Sequence, residues 1–160
     1  LENGEPMPTL AQYLEAAKDT KVHLVLELKP HATPEAETAA AEAVVKMVGR
    51  YGLSKRVTYI SFSLHVMKEL ARLAPAKTQL MYLGGGTLPK DLKAMGLTGC
   101  DFNYGVYLNN PTWLNDIKAL KMASNVWTVN NPADMIWAIE NRVDFITTDR
   151  PDLFLKLTRK

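Results

Sequence analysis

Apolar and polar positions along the chain follow two alternating periods. Residues 22–28, VHLVLEL, form a short run of mostly branched apolar side chains, the pattern of a strand, and Pro30 ends it. Before it, Thr9-Leu10-Ala11-Gln12 has the form of a capping box and opens a helix to about Lys18, with Pro8 holding the entry. After it, Thr33-Pro34-Glu35 supplies a cap, a proline at the first helical position and an acid beside the positive end of the helix dipole. Ala36, Ala40, Ala43, Val44, Met47, Val48 and Tyr51 then recur at three- and four-residue steps, one apolar stripe that Gly52 closes.

The alternation repeats to the C-terminus. Strand-like segments fall at 57–62, 78–83, 100–104, 125–129 and 144–148, and helical patterns at 64–73, 89–95, 111–122, 132–140 and 152–157. A helix follows each strand, at roughly 20–30 residues per unit, which is the pattern of parallel strands joined by right-handed crossovers. The predicted class is α/β. Two architectures answer to it, an open doubly wound sheet or part of a (β/α)8 barrel. A whole barrel needs eight strands and about 250 residues, and the pattern predicts fewer on both counts. No glycine fingerprint follows the first strand, which counts against the dinucleotide-binding form of the open sheet. No linker, low-complexity segment or repeat beyond the βα unit divides the chain, so 1–160 reads as one domain.

Composition narrows the picture mainly by exclusion. Lys and Arg total 19 against 17 acidic residues, a near balance with no basic block, so there is no footprint for nucleic acid or an anionic membrane. A phosphate group would have to be bound by a local site. Cys100 is the only cysteine, which excludes an intrachain disulfide and a thiolate metal cluster. No apolar run approaches the roughly 20 residues of a membrane helix, and no signal-peptide pattern opens the chain, so it reads as soluble, with its compartment open between cytoplasm and periplasm or exterior. The opening LENGEPMP has no initiator Met, as in a processed, truncated or partly recorded product.

Candidate chemistry begins in LVLELKPH. Residues two apart on a strand share a face, which sets Val25, Glu27 and Lys29 against Leu24, Leu26 and Leu28. Glu27 and Lys29 also fall at the strand's C-terminal end, where parallel α/β enzymes place their sites. There a carboxylate is a hard ligand for Mg2+ or Ca2+, and an ammonium can offset phosphate charge. The plainer alternative is an ion pair that satisfies itself. In VWTVN, alternation puts Trp127 and Val129 on one face, and Trp127, like Phe62 after Ser61, is either a ligand wall or core packing. Gly84-Gly85-Gly86 lacks the Lys-Ser/Thr partner of a phosphate loop and reads as a flexible loop. His31 reads as an exposed loop residue and His65 as a helix-surface residue.

In this order, MPTLAQYLEAAK, LVLELKPH, VTYISFS, VWTVNNPADM and VDFITTDRPDL resemble the glycerophosphodiester phosphodiesterase family, from Pro8 to about Leu153. Each piece is weak alone; the ordered set P-T-L, E-L-K, S-F, W-T-V-N and T-D-x-P is more specific. The resemblance implies a TIM-type barrel that hydrolyses a small glycerophosphodiester to an alcohol and glycerol 3-phosphate, assisted by one divalent cation, Mg2+ or Ca2+. It implies that Glu27 is a metal ligand, Lys29 a catalytic residue beside the phosphate, and Phe62 and Trp127 substrate-binding residues. The family's H-R-G, E-x-D and H-D motifs, which carry the acid/base His pair, the phosphate Arg and the other metal carboxylates, do not occur in this sequence. The chain is therefore expected to be the C-terminal portion of an eight-unit barrel, inactive alone and prone to self-association through its outer strands. Two alternatives accompany this reading: a related barrel phosphodiesterase acting on a phospholipid, and a non-catalytic barrel module.

Overall fold

Helices begin where a polar side chain can take up an otherwise unpaired backbone N–H. The computed structural model describes residues 4–158, so the ends of the 1–160 domain expected from sequence lie outside the described residues. Thr9 opens α1 (Leu10–Lys18) with the expected box: the Gln12 N–H donates to Thr9 Oγ1 at 3.3 Å, and the Thr9 N–H donates to Gln12 Oε1 at 2.8 Å. Thr33 caps α2 (Pro34–Arg50), Ser63 caps α3 (Leu64–Leu73) and Asn131 caps α7 (Pro132–Glu140). The remaining helices are α4 (Pro89–Ala94), α5 (Tyr104–Asn109), α6 (Trp113–Ala119) and α8 (Pro151–Thr158).

The strands are β1 (Leu24–Glu27), β2 (Val57–Ser61), β3 (Gln79–Tyr82), β4 (Gly99–Asn103), β5 (Ala123–Trp127) and β6 (Phe145–Ile146). They pair in parallel in chain order, β1-β2-β3-β4-β5-β6, as a sheet curled into part of a TIM-type barrel. Strict sequential order with a helical crossover each time is the barrel's winding, not that of the doubly wound sheet, whose strand order reverses.

Strand parity divides the two faces. Leu24 and Leu28, Tyr59, Phe102 and Val126 are buried against Leu14, Val48, Met67, Leu70, Ile117 and Met135 of the helices in one hydrophobic cluster. The other face looks into the barrel interior. Register aligns Val25 with Thr58 and Gln79, and, higher up, Asp101 with Asn125 and Phe145. Gly99 lies beside Met81 in this register, and a Cβ there would come within 2.8 Å of Met81 Cγ, so the small residue makes room for the methionine.

Four expectations change. The predicted helix 111–122 is shorter, because Pro111 lies in a turn and Lys121 takes a positive φ of 54° that stops the helix before Met122. An unpredicted helix, α5, precedes it, capped by the Asn103 side chain, which accepts from the Gly105 N–H at 2.9 Å. The stripe of α2 is displaced: Glu37, Ala41 and Val48 are buried while Ala43 is exposed. Finally, Trp127 and Val129 do not share a face. β5 ends at Trp127, and the Trp127–Thr128 peptide is cis; Val129 enters the hydrophobic core while Trp127 borders the barrel mouth.

Candidate active site

At the C-terminal ends of the strands, a cleft of about 290 Å³ is lined by Glu27, Lys29, Phe62, Asp101, Trp127 and Thr147, among others. All four residues singled out from sequence therefore meet in one place. β1 delivers Glu27 on its interior face, and Lys29 follows two residues later on the same side. Lys29 Nζ donates to Glu27 Oε1 at 2.7 Å, with 72 % of the lysine side chain and 28 % of the glutamate side chain exposed. At such exposure an ion pair contributes about 0–1 kcal/mol, too little to hold the ammonium against a phosphate oxygen.

Another part of the lining is aromatic. Phe62 and Trp127 stack edge to face, with ring centroids 5.7 Å apart and planes at 87°. Trp127 is fixed from below, its Nε1–H donating to the Asp101 carbonyl at 2.9 Å. The cleft thus pairs a charged rim with an apolar wall, suited to a small ligand having one anionic and one less polar end.

Sequence reading passed over Asp101. The residue is 2 % exposed, and its side chain accepts from Asn125 Nδ2 at 2.7 Å; the same Nδ2 donates to Thr147 Oγ1 at 2.8 Å. Burial pushes the Asp101 carboxyl up to about 7; the hydrogen bond from Asn125 opposes the shift and the Glu27 charge adds to it. Asn125 Oδ1 is buried and has no partner among the described residues. The signal was available: Asp101 and Asn103 occupy alternate positions of GCDFN, and an interior-facing acid on a barrel strand is uncommon without a task. Deeper in the barrel, Thr58 Oγ1 donates to Gln79 Oε1 at 2.8 Å, with His23 Nε2 also 2.8 Å from that hydroxyl.

The other candidates take local roles. Ser61 Oγ donates to the Leu28 carbonyl at 2.7 Å. His31 lies in an exposed loop, and half-buried His65 contacts Thr38 Oγ1 at 3.0 Å between α3 and α2. At Gly85 a Cβ would come within 2.4 Å of Val106 Cγ2, so close packing accounts for that glycine without an anion. Burial raises the Cys100 thiol to about 12, which leaves no thiolate for chemistry.

The donors present do not make a cation site by themselves. Among the described residues no group of three or more His, Cys, Asp or Glu converges, whereas Mg2+ and Ca2+ take six or more oxygens. Glu27 supplies one carboxylate, and the oxygen Oε1 is engaged by Lys29.

A parallel barrel sheet with charged and aromatic side chains gathered at its C-terminal rim defines a TIM-type barrel protein. Within that class, the chain belongs to the glycerophosphoryl diester phosphodiesterase family, whose model matches residues 2–153. A glycerophosphodiester phosphodiesterase from Caldanaerobacter subterraneus is 29 % identical, over 98 % of this chain and 64 % of its own length. The crystal structure of a glycerophosphodiester phosphodiesterase from Parabacteroides distasonis superposes with a TM-score of 0.94 at 48 % identity, covering 98 % of this chain and 66 % of that one. An Oleispira antarctica phosphodiesterase, solved with its product sn-glycerol-3-phosphate, shares the fold at a TM-score of 0.80 and 19 % identity, over 93 % of this chain and 60 % of that one. The chain thus spans just under two thirds of the length of the first two relatives.

Proposed function

We propose that this chain is the C-terminal part of a barrel enzyme that hydrolyses glycerophosphodiesters to an alcohol and glycerol 3-phosphate. The observation that carries the reading is the convergence of Glu27, Lys29, Phe62 and Trp127 in one cleft at the catalytic end of the barrel. In this reading the Lys29 ammonium turns from Glu27 to a phosphate oxygen and offsets the charge that builds there during cleavage. Phe62 and Trp127 exclude water and hold the glycerol and leaving-group side. Glu27 would contribute one ligand to a Mg2+ or Ca2+ ion, which would polarise the phosphate and would need further carboxylates to complete its site. Family membership and the product complex of the Oleispira relative support the substrate class.

Proton transfer is the part this chain does not supply. The family's His pair sits in motifs missing from this sequence, and acid/base catalysis typically contributes about 10²- to 10⁴-fold in rate. The test compares the intact protein with residues 1–160, each given glycerophosphocholine or phosphatidylcholine in the presence of Mg2+ or Ca2+. The intact protein is expected to release choline and glycerol 3-phosphate from the first substrate alone, and residues 1–160 to release nothing. Cleavage of phosphatidylcholine instead would favour the phospholipid alternative, and turnover of neither by the intact protein would favour the non-catalytic module.

The same reading bears on self-association. β1 and β6 are the outer strands of the sheet, and their residues Val25 and Phe145 are 58 % and 48 % exposed. Unpaired parallel edges with apolar neighbours invite pairing with a second copy. Residues 1–160 are expected to sediment as dimers or larger species at micromolar concentration, and Val25→Lys to shift them toward the monomer. A monomeric wild-type chain would refute this.

No described helix is long and apolar enough to cross a membrane.

A further inference from the structure

We propose that Glu37 is a positioning residue, locking the loop that carries Lys29 to the loop that carries Phe62. The proposal rests on the phosphodiesterase reading for what those two loops do, and on hydrogen-bond geometry for the lock itself. Glu37 stands in the first turn of α2 and is 6 % exposed. Its two oxygens leave its own helix in different directions. Oε1 accepts the His31 N–H, after β1, at 3.2 Å, and Oε2 accepts the Ser63 Oγ–H, after β2, at 2.8 Å. Ser63 Oγ in turn accepts the Val66 N–H at 3.2 Å, which anchors that arm on the start of α3.

A second tie runs in parallel. Ser61 Oγ donates to the Leu28 carbonyl at 2.7 Å and accepts the Ser63 N–H at 3.0 Å. The Lys29 carbonyl is also within 2.8 Å of His31 Nδ1, which donates in that tautomer. Lys29 is therefore held on both sides, at Leu28 and at His31, and Phe62 is held between Ser61 and Ser63. The two residues, side by side on adjacent strand ends and both lining the cleft, hang from one hydrogen-bonded frame.

Energetics argue that Glu37 is more than a packing residue. Burying a carboxylate costs free energy unless it is hydrogen-bonded, and no Lys or Arg forms an ion pair with it among the described residues. An apolar side chain would serve packing on this stripe as well. What an apolar residue cannot do is accept from two loops at once, with charge-assisted bonds roughly twice as strong as neutral ones. The nearby N-terminus of α2 favours the negative charge. Displacing a catalytic group by about 1 Å can cost about 100-fold in rate, so a frame of this kind acts on turnover through Lys29.

The test uses the intact protein with Glu37→Ala, Glu37→Gln and Lys29→Met, singly and in the Glu37→Ala/Lys29→Met double variant. Glycerophosphocholine turnover, thermal unfolding and hydrogen exchange of the His31 amide are measured for each. Glu37→Ala is expected to lower kcat/KM about 10- to 100-fold, mainly through kcat, and Gln to recover part of it because its Oε1 still accepts from His31. With Lys29→Met in place, Glu37→Ala should cost less than about threefold, and in every Glu37→Ala protein the His31 amide should lose protection. Fully multiplicative effects of the two substitutions, or unchanged His31 protection, would overturn the proposal. Should Glu37→Ala fail to fold, Ser63→Ala removes the other arm and is read by turnover alone and combined with Lys29→Met, fully multiplicative effects again overturning the proposal. A wild-type protein without turnover would count against the enzyme reading alone, and His31 exchange would still decide whether the frame exists.

Discussion

In the intact protein, Glu27→Gln is expected to lower glycerophosphodiester turnover by ~100-fold or more while leaving thermal unfolding almost unchanged. The two halves of this expectation come from different facts. The substitution keeps the size and one carbonyl acceptor of Glu27 but removes its charge. Structurally, what is lost is an ion pair with a largely exposed lysine, worth about 0–1 kcal/mol. If Glu27 holds the cation as proposed, its loss is expected to cost more than the about 10- to 100-fold typical of removing even an outer-sphere partner of a metal ligand. Turnover across a Mg2+ or Ca2+ titration, set beside a melting curve, separates the two. If Glu27→Gln keeps wild-type turnover at the same cation concentration, Glu27 is an ion-pair partner of Lys29 and nothing else.

The parts of this molecule that sequence revealed are those governed by local rules. A capping box needs only four consecutive residues, and Thr9 and Gln12 form it as their spacing requires. Strand parity separates Glu27 and Lys29 from Leu24 and Leu28 because the alternation of a strand leaves no freedom over four residues. Parity failed at Val129 for the same reason: the rule holds only while the strand continues, and β5 stops at Trp127.

The two acids that sequence missed were hidden in different ways. Glu37 lies on the buried stripe of α2, but a stripe traced by apolar residues alone passes over an acid whose partners, His31 and Ser63, belong to other loops. Asp101 alternates with Asn103 in GCDFN, but its burial depends on Asn125 of β5 and, through it, on Thr147 after β6. Both are satisfied by long-range hydrogen bonds, which no local pattern encodes. The helix Tyr104–Asn109 escaped notice because glycine and two aromatics in YGVYLN weaken its helical propensity, while the Asn103 cap and the buried Tyr107 sustain it.

Residues 1–160 are expected to lose stability as pH rises from about 4.5 to 8, and Asp101→Asn is expected to remove most of that slope. The cause is the burial that raises the Asp101 carboxyl from 3.8 to about 7. A carboxyl whose pKa is higher in the fold than in the open chain holds its proton in the native state across this window after the unfolded chain has released it. The native state then binds more protons than the unfolded one, so the free energy of unfolding falls as pH rises. At about 1.4 kcal/mol per unit, a shift of roughly three units corresponds to roughly 4 kcal/mol at most by pH 8. Glu69 and Asp152 act in the opposite sense, held below the usual carboxylate range by hydrogen bonds to Arg72 and Arg150. Glu35 does too, through its backbone and Thr33 hydrogen bonds. Glu35 and Asp152 are screened by solvent at the surface, and half-buried Glu69 is paired with an exposed Arg72, so the three weigh less than the buried group. In Asp101→Asn the amide oxygen still accepts from Asn125, no charge is buried at high pH, and the melting temperature at pH 8 should rise by several degrees. Denaturant unfolding at pH 4.5, 6 and 8 measures this; a wild-type stability that is flat or increases over the range would refute it. Because the Glu27 charge adds to the shift, Glu27→Gln should also move the Asp101 transition to lower pH. That coupling is visible by NMR titration of the Asp101 carboxyl, and it would show Asp101 sensing the Glu27 charge whether or not the protein turns over substrate.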